Sequence, residues 1–368
     1  MINIKSFLKI KQRKNLVFFV TNSFGELDYL GPFICMINKY ADYKIKLIFI
    51  NSGIFKQFKN CEYFKKLFLI LKVKSKSILF SYNTSDKSHY NLFLKKADKL
   101  KNFFFFIFSF FEITYYYIKS DIIFIESSKY TKSHLLISIL NKFIKKNIVL
   151  FPHTSSRFYT NQSTSKTSIL KDVPVLISSE LEINFYKSAG YENFITTDYP
   201  LNNNCWHEII DKNFISPYNQ TEYVCIFMNG LKLNQQNENR RFQDLLTLAI
   251  ESIKFVDDNV SIILKRHPRD FRRKEESLII QKTLEKYNFF NIKFSNFPNF
   301  ILSKFSKYNL ILDNGTIFSA HAANKNSYYL FSQNDYKLNN VKKYNLPVVE
   351  CKIGLINQLK KLNTNKIN

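Results

Sequence analysis

A histidine flanked by cations follows one short apolar run of the sequence. The run Ile262–Leu264 ends in Lys265, and His267 and Arg269 come directly after it. A buried parallel strand has this pattern and delivers polar residues to its carboxyl end. Cationic groups at one strand end can bind phosphate oxygens and stabilise negative charge that develops on a leaving group. We therefore predict that Lys265, His267 and Arg269 bind phosphate, with His267 also in a catalytic role. A surface strand end with ordinary basic residues is the alternative.

A second apolar run ends in small polar residues. Leu310–Leu312 is followed by Asn314, Gly315 and Thr316, and Ser319 lies one helical turn further on. Glycine lets the backbone approach a ligand, and a threonine at a helix start can cap the helix and donate to a phosphate. We predict that these four residues contact the same phosphate, although a capped turn without a ligand has the same pattern.

Three residues in the first half of the chain could act on an acceptor hydroxyl. His153 follows the apolar run 147–151, and a neutral histidine at a strand end is suited to act as a general base. A loop histidine that only forms a hydrogen bond is the alternative. Glu26 could position or deprotonate the acceptor, or could be ordinary negative charge at a helix start. Glu126, at the end of another apolar run, is a weaker candidate.

Apolar strand patterns alternate with helical ones along the whole chain. This predicts α/β structure in which parallel sheets are covered on both faces. The expected strands cover residues 16–20, 45–50, 77–81, 121–125, 147–151, 173–177, 223–228, 260–264, 292–294, 310–312 and 327–331. A helix from 179 to 189 is expected to stop at Gly190.

The alternating pattern fades between residues 196 and 223, where Asp, Asn and Pro predominate. We predict two domains facing each other across a cleft: an acceptor-side domain over residues 1–200 and a donor-binding domain over 201–368. The last helix could pack back on the first domain.

The chain carries a formal net charge of +25, but its cations are spread along its whole length. No known nucleic-acid-binding motif is present, so we predict no nucleic-acid partner. A basic surface also suits an anionic membrane face. The intensely apolar run 102–118 contains Glu112 and predicts a buried helix in preference to a membrane span.

Five widely spaced cysteines and the absence of an apolar leader indicate a reducing compartment. We predict a cytoplasmic protein, with a peripheral position on the inner face of the cytoplasmic membrane as a further expectation.

The motifs of P-loop NTPases, dinucleotide-binding dehydrogenases, zinc proteases and α/β-hydrolases are absent from the sequence. The sequence also lacks the Asp-x-Asp pattern by which many enzymes hold a nucleotide-sugar through a metal ion. We therefore predict a metal-independent phosphate site and no cofactor.

The polar segments resemble those of a group of transferases. Lys265 to Arg269, followed by Leu312-Asp-Asn-Gly-Thr-Ile-Phe-Ser, is similar to the His-Pro and Asp-x-Ser-Ser segments of CDP-glycerol glycerophosphotransferases, capsule Kdo transferases and bacterial sialyltransferases. Phe151-Pro-His-Thr resembles the segment in which the glycerophosphotransferases carry a histidine base. This chain has Thr154 where that segment has glycine, and Gly315-Thr316 where the group has Ser-Ser. The resemblance spans roughly residues 145–325.

The resemblance implies a GT-B fold, which consists of two Rossmann-like domains. It also implies an enzyme that transfers a sugar or polyol-phosphate from a CMP-, CDP- or UDP-linked donor to a surface polysaccharide or lipid-linked acceptor. Two other readings stay open. One is a nucleotide-sugar 2-epimerase of the same fold, and the other is a non-catalytic carbohydrate- or membrane-surface-binding module.

Overall fold

The computed structural model describes most of the chain. These are residues 2–10, 15–21, 25–50, 52–78, 107–127, 132–152, 170–218, 222–228, 236–265, 274–289, 292–331 and 338–364. Within these ranges the chain forms two compact units, and the division falls between Trp206 and His207. The predicted domain boundary at residues 200 and 201 lies slightly earlier, in a 3-10 turn over Pro200–Asn202.

The described part of the first unit contains one sheet of eight parallel strands. Their order across the sheet is β1-β8-β7-β6-β5-β2-β3-β4. The strands are β1 (Ile2–Asn3), β2 (Asn15–Val20), β3 (Lys44–Phe49), β4 (Lys74–Ser77), β5 (Ile122–Glu126), β6 (Asn147–Phe151), β7 (Val175–Ile177) and β8 (Phe194–Thr196).

Helices connect these strands along the chain. They are α1 (Ile4–Ile10), α2 (Gly25–Asn38), α3 (Ser52–Asn60), α4 (Glu62–Ile70), α5 (residues 107–119), α6 (Lys132–Phe143), α7 (Glu180–Ser188) and α8 (Asn204–Asn213). The division between the two units falls inside α8.

The central strands of this sheet are buried on both faces, as their continuous apolar sequences predict. On one face, Val17 and Phe19 of β2 join a core with α5, α6 and α7. On the other face, the ring of Phe18 stacks on Phe124 at 4.4 Å and meets Phe33 of α2 edge-on. The first unit is therefore a doubly wound α/β sheet, as predicted.

The apolar run near residue 110 departs from its prediction. We predicted a buried helix, but Phe108, Phe111, Tyr115 and Ile118 of α5 are each between 47% and 68% exposed. Only the face of α5 toward the sheet is buried in the core. A helix lying on a sheet has a second face in solvent, and in α5 that face is also apolar.

The sequence patterns also missed several elements of the first unit. The strand over 173–177 was predicted to be the last of its half, but β8 follows it and pairs with both β7 and β1. The region from 196 to 223, expected to lack regular structure, contains α8. The short helices α3 and α4 were not predicted either.

Helix α7 ends as predicted, at a glycine. Gly190 has a φ of +85°. Its N–H donates to the Lys187 carbonyl at 2.9 Å, and the Tyr191 N–H donates to the Tyr186 carbonyl at 3.0 Å. This pair of bonds is a Schellman motif, which requires a left-handed residue just beyond the helix.

The described part of the second unit contains a parallel sheet of six strands in the order β11-β10-β9-β12-β13-β14. The strands are β9 (Tyr223–Phe227), β10 (Ser261–Lys265), β11 (Ile292–Ser295), β12 (Asn309–Leu312), β13 (Ser327–Leu330) and β14 (Val348–Val349). The helices are α9 (Gln236–Val256), α10 (Lys274–Lys286), α11 (Asn299–Phe305), α12 (Ile317–Ala323), α13 (Leu338–Lys343) and α14 (Lys352–Thr364).

Helices cover both faces of this second sheet. The core on one face joins Val224 and Ile226 of β9 to α9, α10 and α14. On the other face the Tyr223 hydroxyl donates to the Leu302 carbonyl of α11 at 2.9 Å. The last helix, α14, packs on its own unit. Its Leu355 and Leu359 are fully buried in the same core as α9.

All five cysteines are free thiols, and the Sγ atoms of Cys35 and Cys205 lie 2.7 Å apart.

Among the helices of the described ranges, none combines the length and the apolar sequence that crossing a bilayer requires.

Candidate functional site

The strand order of the second sheet reverses at one position. From β9 the chain moves outward through β10 to β11, and it then returns to the other side of β9 for β12 and β13. The connections leaving β9 and β12 therefore run to opposite faces of the sheet. In such sheets a crevice opens outside the carboxyl ends of the two strands at the reversal, and ligands bind there.

Lys265 is the last residue of β10, the strand that pairs with β9 on the side away from β12. Its carbonyl accepts the Met228 N–H at 3.0 Å, so the ends of β10 and β9 are joined by a hydrogen bond. The Lys265 side chain is 8% exposed. Burial raises the pKa of the neighbouring Cys225 thiol, and the positive charge of Lys265 opposes that rise. The lysine charge therefore acts in a largely dehydrated setting, where it interacts strongly with nearby anions.

Asn314 links the loop after β12 to the end of β9. Its side-chain amide donates to the Met228 carbonyl at 2.9 Å. Its side-chain oxygen accepts the Thr316 N–H at 3.0 Å and the Thr316 hydroxyl at 3.1 Å. One side chain thus holds the two strand ends on either side of the reversal, and the predicted residues Lys265, Asn314, Gly315 and Thr316 lie at this edge.

The turn that contains Gly315 has its left-handed residue at Asp313, with a φ of +44°. The Asp313 carboxylate accepts a hydrogen bond from the Tyr329 hydroxyl at 3.1 Å. Thr316 occupies the N-cap position of α12, but its side chain makes no capping bond. Its hydroxyl is bonded to Asn314 instead and accepts from the Asn299 amide at 3.4 Å.

Ser319 lies inside α12 and is 2% exposed. Its hydroxyl donates to the Thr316 carbonyl at 3.0 Å, which stabilises the first turn of the helix. Phosphate binding by Ser319 stays a prediction, and it would require this bond to break.

Three of the predicted residues lie outside the described ranges: His153, His267 and Arg269. Their roles stay predictions from the sequence. His267 and Arg269 follow Lys265 by two and four positions in the chain, and His153 follows Phe151 of β6 by two.

In the first unit the strand order reverses between β2 and β5. Glu26, in the first turn of α2, and Glu126, the last residue of β5, lie on either side of that reversal, and both are 0% exposed. A carboxylate oxygen of Glu26 accepts the Thr21 N–H at 3.0 Å, which joins the first turn of α2 to the residue that follows β2. Glu26 is therefore a buried group with a defined structural contact, and its action on an acceptor stays a prediction.

The sequence patterns missed a polar cluster beside β6. Ser127, just after β5, shares a 2.9 Å hydrogen bond with the Tyr186 hydroxyl of α7. Glu182 is 1% exposed and accepts from the Ser178 N–H at 2.6 Å and the Ser178 hydroxyl at 3.0 Å. Burial raises the pKa of Tyr186, the Ser127 bond opposes that rise, and the nearby Glu182 and Glu126 add to it. Ser179 occupies the N-cap position of α7 but makes no side-chain capping bond, and Glu182, one turn into the helix, accepts the bonds from Ser178 instead.

Within the described ranges, no three His, Cys, Asp or Glu side chains are placed to bind a metal ion together. Metal independence stays a prediction. What the second unit presents at its strand reversal is a buried cation and a hydrogen-bonded polar turn, a combination suited to an anionic ligand.

Two doubly wound parallel α/β units in one chain define the GT-B class of fold. Solved structures of this class cover most of the chain. A Listeria monocytogenes protein assigned as a UDP-N-acetylglucosamine 2-epimerase has a TM-score of 0.56 and 10% identity, over 96% of this chain and 89% of its own. The UDP-GlcNAc 2-epimerase of Methanocaldococcus jannaschii, solved with UDP-GlcNAc and UDP, has a TM-score of 0.54 and 15% identity, over 96% and 94%. Anabaena HepE, solved with UDP-glucose, has a TM-score of 0.52 and 11% identity, over 96% and 90%.

No protein-family profile matches the chain, and no curated protein sequence matches it. At the identities given above, the structural likeness establishes the fold.

Proposed function

We propose that this protein is an enzyme that transfers a sugar or polyol-phosphate from a nucleotide-activated donor to a surface polysaccharide or lipid-linked acceptor. The observation that carries the proposal is the buried Lys265 beside the Asn314–Met228 link, at the strand reversal of the second sheet. The GT-B fold supports it, since proteins with this fold have been solved with UDP, UDP-GlcNAc and UDP-glucose.

Donor binding is assigned to the second unit. Lys265, with His267 and Arg269 from the adjoining segment, would bind the donor phosphates. The turn with Asn314, Gly315 and Thr316 lies across the reversal from Lys265 and would position them. The nucleotide phosphate gains negative charge as its bond to the transferred group breaks, so a buried cation beside it would stabilise the transition state more than the bound donor.

Acceptor activation is assigned to the first unit, through His153 or Glu26. The acceptor oxygen forms a bond to the transferred group while the bond from that group to the nucleotide phosphate breaks. The electron pair of the broken bond leaves with the nucleotide, and the base takes the acceptor proton. Because Glu26 already accepts a hydrogen bond from Thr21, we favour His153 as the base.

The resemblance to glycerophosphotransferases, capsule transferases and sialyltransferases favours a CMP-, CDP- or UDP-linked donor. The proposal requires no resident metal or other cofactor. It is compatible with a cytoplasmic protein in peripheral contact with an anionic membrane, where a lipid-linked acceptor would be found.

A second candidate is a nucleotide-sugar 2-epimerase, favoured by the UDP-GlcNAc 2-epimerases that share the fold. An epimerase acts on its nucleotide-sugar alone, whereas a transferase needs an acceptor. The two candidates therefore differ in what they do to UDP-GlcNAc in the absence of any acceptor.

The experiment incubates the full chain with UDP-GlcNAc, UDP-glucose, CMP-sialic acid or CDP-glycerol. Each donor is tested alone and with oligosaccharide fragments of bacterial capsule and teichoic acid. We expect nucleotide release that depends on the acceptor, together with a lengthened oligosaccharide, detected by chromatography and mass spectrometry. His267→Ala should abolish transfer while leaving the fold intact.

Lys265→Gln should reduce transfer strongly, and the matched control Lys293→Gln should not, because Lys293 is an exposed lysine on β11 of the same sheet. Conversion of UDP-GlcNAc to its 2-epimer without an acceptor would contradict the transferase proposal and would show that the protein is an epimerase. Near-wild-type turnover in His267→Ala would contradict the site assignment. The absence of any reaction would favour the non-catalytic binding module.

A further inference from the structure

Helix α5 of the first unit presents a row of apolar side chains to solvent. Phe108, Phe111, Tyr115 and Ile118 are 68%, 65%, 54% and 47% exposed. Their spacing of three and four residues puts them on one face of the helix. The opposite face is buried on the sheet. A helix that only needed to cover the sheet would carry polar residues on its outer face.

Helix α6 has an exposed apolar row of the same kind. Leu135, Ile139 and Phe143 are four residues apart and are 41%, 41% and 83% exposed. Phe143 thus leaves most of a phenylalanine ring in water, which is unfavourable unless a partner covers it.

The two helices lie side by side on the same face of the sheet. The Tyr117 hydroxyl of α5 bonds to the Asn141 side-chain oxygen of α6 at 3.0 Å and to the Ile144 carbonyl at 2.8 Å. The Lys146 ammonium, just beyond α6, donates to the Ile118 carbonyl at 2.8 Å. The exposed rows of α5 and α6 are therefore neighbours, and together we call them the aromatic surface.

Positive charge borders the aromatic surface. Lys119, at the end of α5, and Lys142 and Lys145, at the end of α6, are all exposed. Glu112 of α5 is paired with Lys76 at 2.7 Å. Helix α6 and the residues between it and β6 contain no Asp or Glu. The lysines at this end of the surface thus outnumber the acids.

We propose that the aromatic surface docks the protein on an anionic lipid bilayer. The aromatic and aliphatic side chains enter the headgroup region, and the bordering lysines contact lipid phosphates. Exposed phenylalanines beside lysines favour a bilayer over a protein partner, because the headgroup boundary accepts apolar rings and flexible cations together. The net charge of +25 also attracts the protein to an anionic bilayer. This inference does not depend on the reaction proposed above.

The test is co-sedimentation of the full chain with lipid vesicles. We expect binding to vesicles that contain phosphatidylglycerol, weaker binding to pure phosphatidylcholine, and loss of binding as salt is raised. The double variant Phe111→Ser/Phe143→Ser should bind roughly tenfold or more weakly for each ring removed. The single variants Lys142→Gln and Lys145→Gln should each bind anionic vesicles about fivefold more weakly than the wild type.

The matched control is Phe255→Ser/Ile353→Ser in the second unit, where the two side chains are 64% and 73% exposed. This control should bind vesicles like the wild type. Circular dichroism should show wild-type helix content in both double variants, since all four positions are exposed.

Three results would overturn the proposal. The first is the absence of binding to phosphatidylglycerol vesicles, and the second is an equal loss of binding in the control and in the α5–α6 variant. The third is a wild-type dimer in solution that becomes a monomer in Phe111→Ser/Phe143→Ser, which would make a second copy of the chain the occupant of the surface. None of these results concerns nucleotide binding, so a failure here is distinct from a failure of the proposed enzymatic function.

Discussion

The side-chain amide of Asn314 donates a 2.9 Å hydrogen bond to the backbone carbonyl of Met228, although the two residues lie 86 positions apart in the sequence. The bond joins the loop after β12 to the end of β9. These are the two strands between which the order of the second sheet reverses. Any ligand bound outside this reversal would lie against groups that Asn314 holds in place.

Replacement of Asn314 by alanine should therefore destabilise the second unit. The change leaves the Met228 carbonyl and the Thr316 N–H without their side-chain partner, which should cost about 1–3 kcal/mol of unfolding free energy. Asn314→Asp keeps an acceptor for Thr316 but turns a carboxylate oxygen toward the Met228 carbonyl oxygen, so it should also destabilise the unit. Urea unfolding followed by circular dichroism measures both. An alanine variant with the wild-type midpoint would show that the link contributes nothing.

The ends of the strands were predictable from sequence, whereas the order of the strands across each sheet was not. The expected strands end at residues 264, 312 and 125, and the structure ends β10 at Lys265, β12 at Leu312 and β5 at Glu126. Which strand lies beside which is decided by packing of the whole sheet. The Asn314–Met228 bond therefore had no signal in the sequence.

The same distinction explains the missed elements. Strand β8 is three residues long, and β1 pairs with it through only two residues. Elements this short carry too little pattern to be recognised without their neighbours. Helix α8 lies in an Asn-rich stretch, and only a narrow apolar row of it, including Trp206 and Ile210, is buried. The exposed face of α5 is a different case, because apolar composition alone predicts burial on all sides.

Gly190 provides a test of the backbone at the end of α7. With φ at +85°, alanine there should lower the free energy of unfolding by about 1–2 kcal/mol. The added Cβ would meet only the end of the Lys171 side chain, at 3.1 Å, so the cost comes from the backbone conformation.

The matched control for Gly190 is Gly354, inside α14. Its nearest neighbour to an added Cβ is the Cys351 sulfur at 3.5 Å, so Gly354→Ala should be neutral or should stabilise by up to ~1 kcal/mol. Thermal unfolding of both variants measures the difference. Equal destabilisation by the two alanines would contradict the claim that the left-handed backbone of Gly190 causes the cost.

His321 of α12 should make stability depend on pH. Burial lowers the pKa of His321 below 6.5, the charge of Lys325 lowers it further, and a backbone hydrogen bond with Ser327 partly opposes the shift. The unfolded chain therefore takes up a proton at His321 at a higher pH than the folded chain does. The stability that neutral His321 contributes is complete above pH 6.5 and is lost as the pH falls toward the lowered value.

His321→Gln removes this titration, so its stability should fall less steeply than that of the wild type between about pH 7.5 and about pH 5.5. Urea midpoints measured across that range give both slopes. Identical slopes would show that His321 is not the group responsible.

The most direct test of the proposed donor site is a thermal-shift panel. It compares CMP, CDP, UDP, UMP, GDP and CDP-glycerol on the wild type, Lys265→Gln, His267→Ala and the control Lys293→Gln. A nucleotide that binds only the folded chain raises its melting temperature. We predict stabilisation of the wild type and the control by a cytidine or uridine nucleotide. Affinity should fall roughly tenfold to a hundredfold when Lys265 loses its charge. No shift with any nucleotide, or an equal shift in all four proteins, would contradict a donor site at the strand reversal of the second sheet.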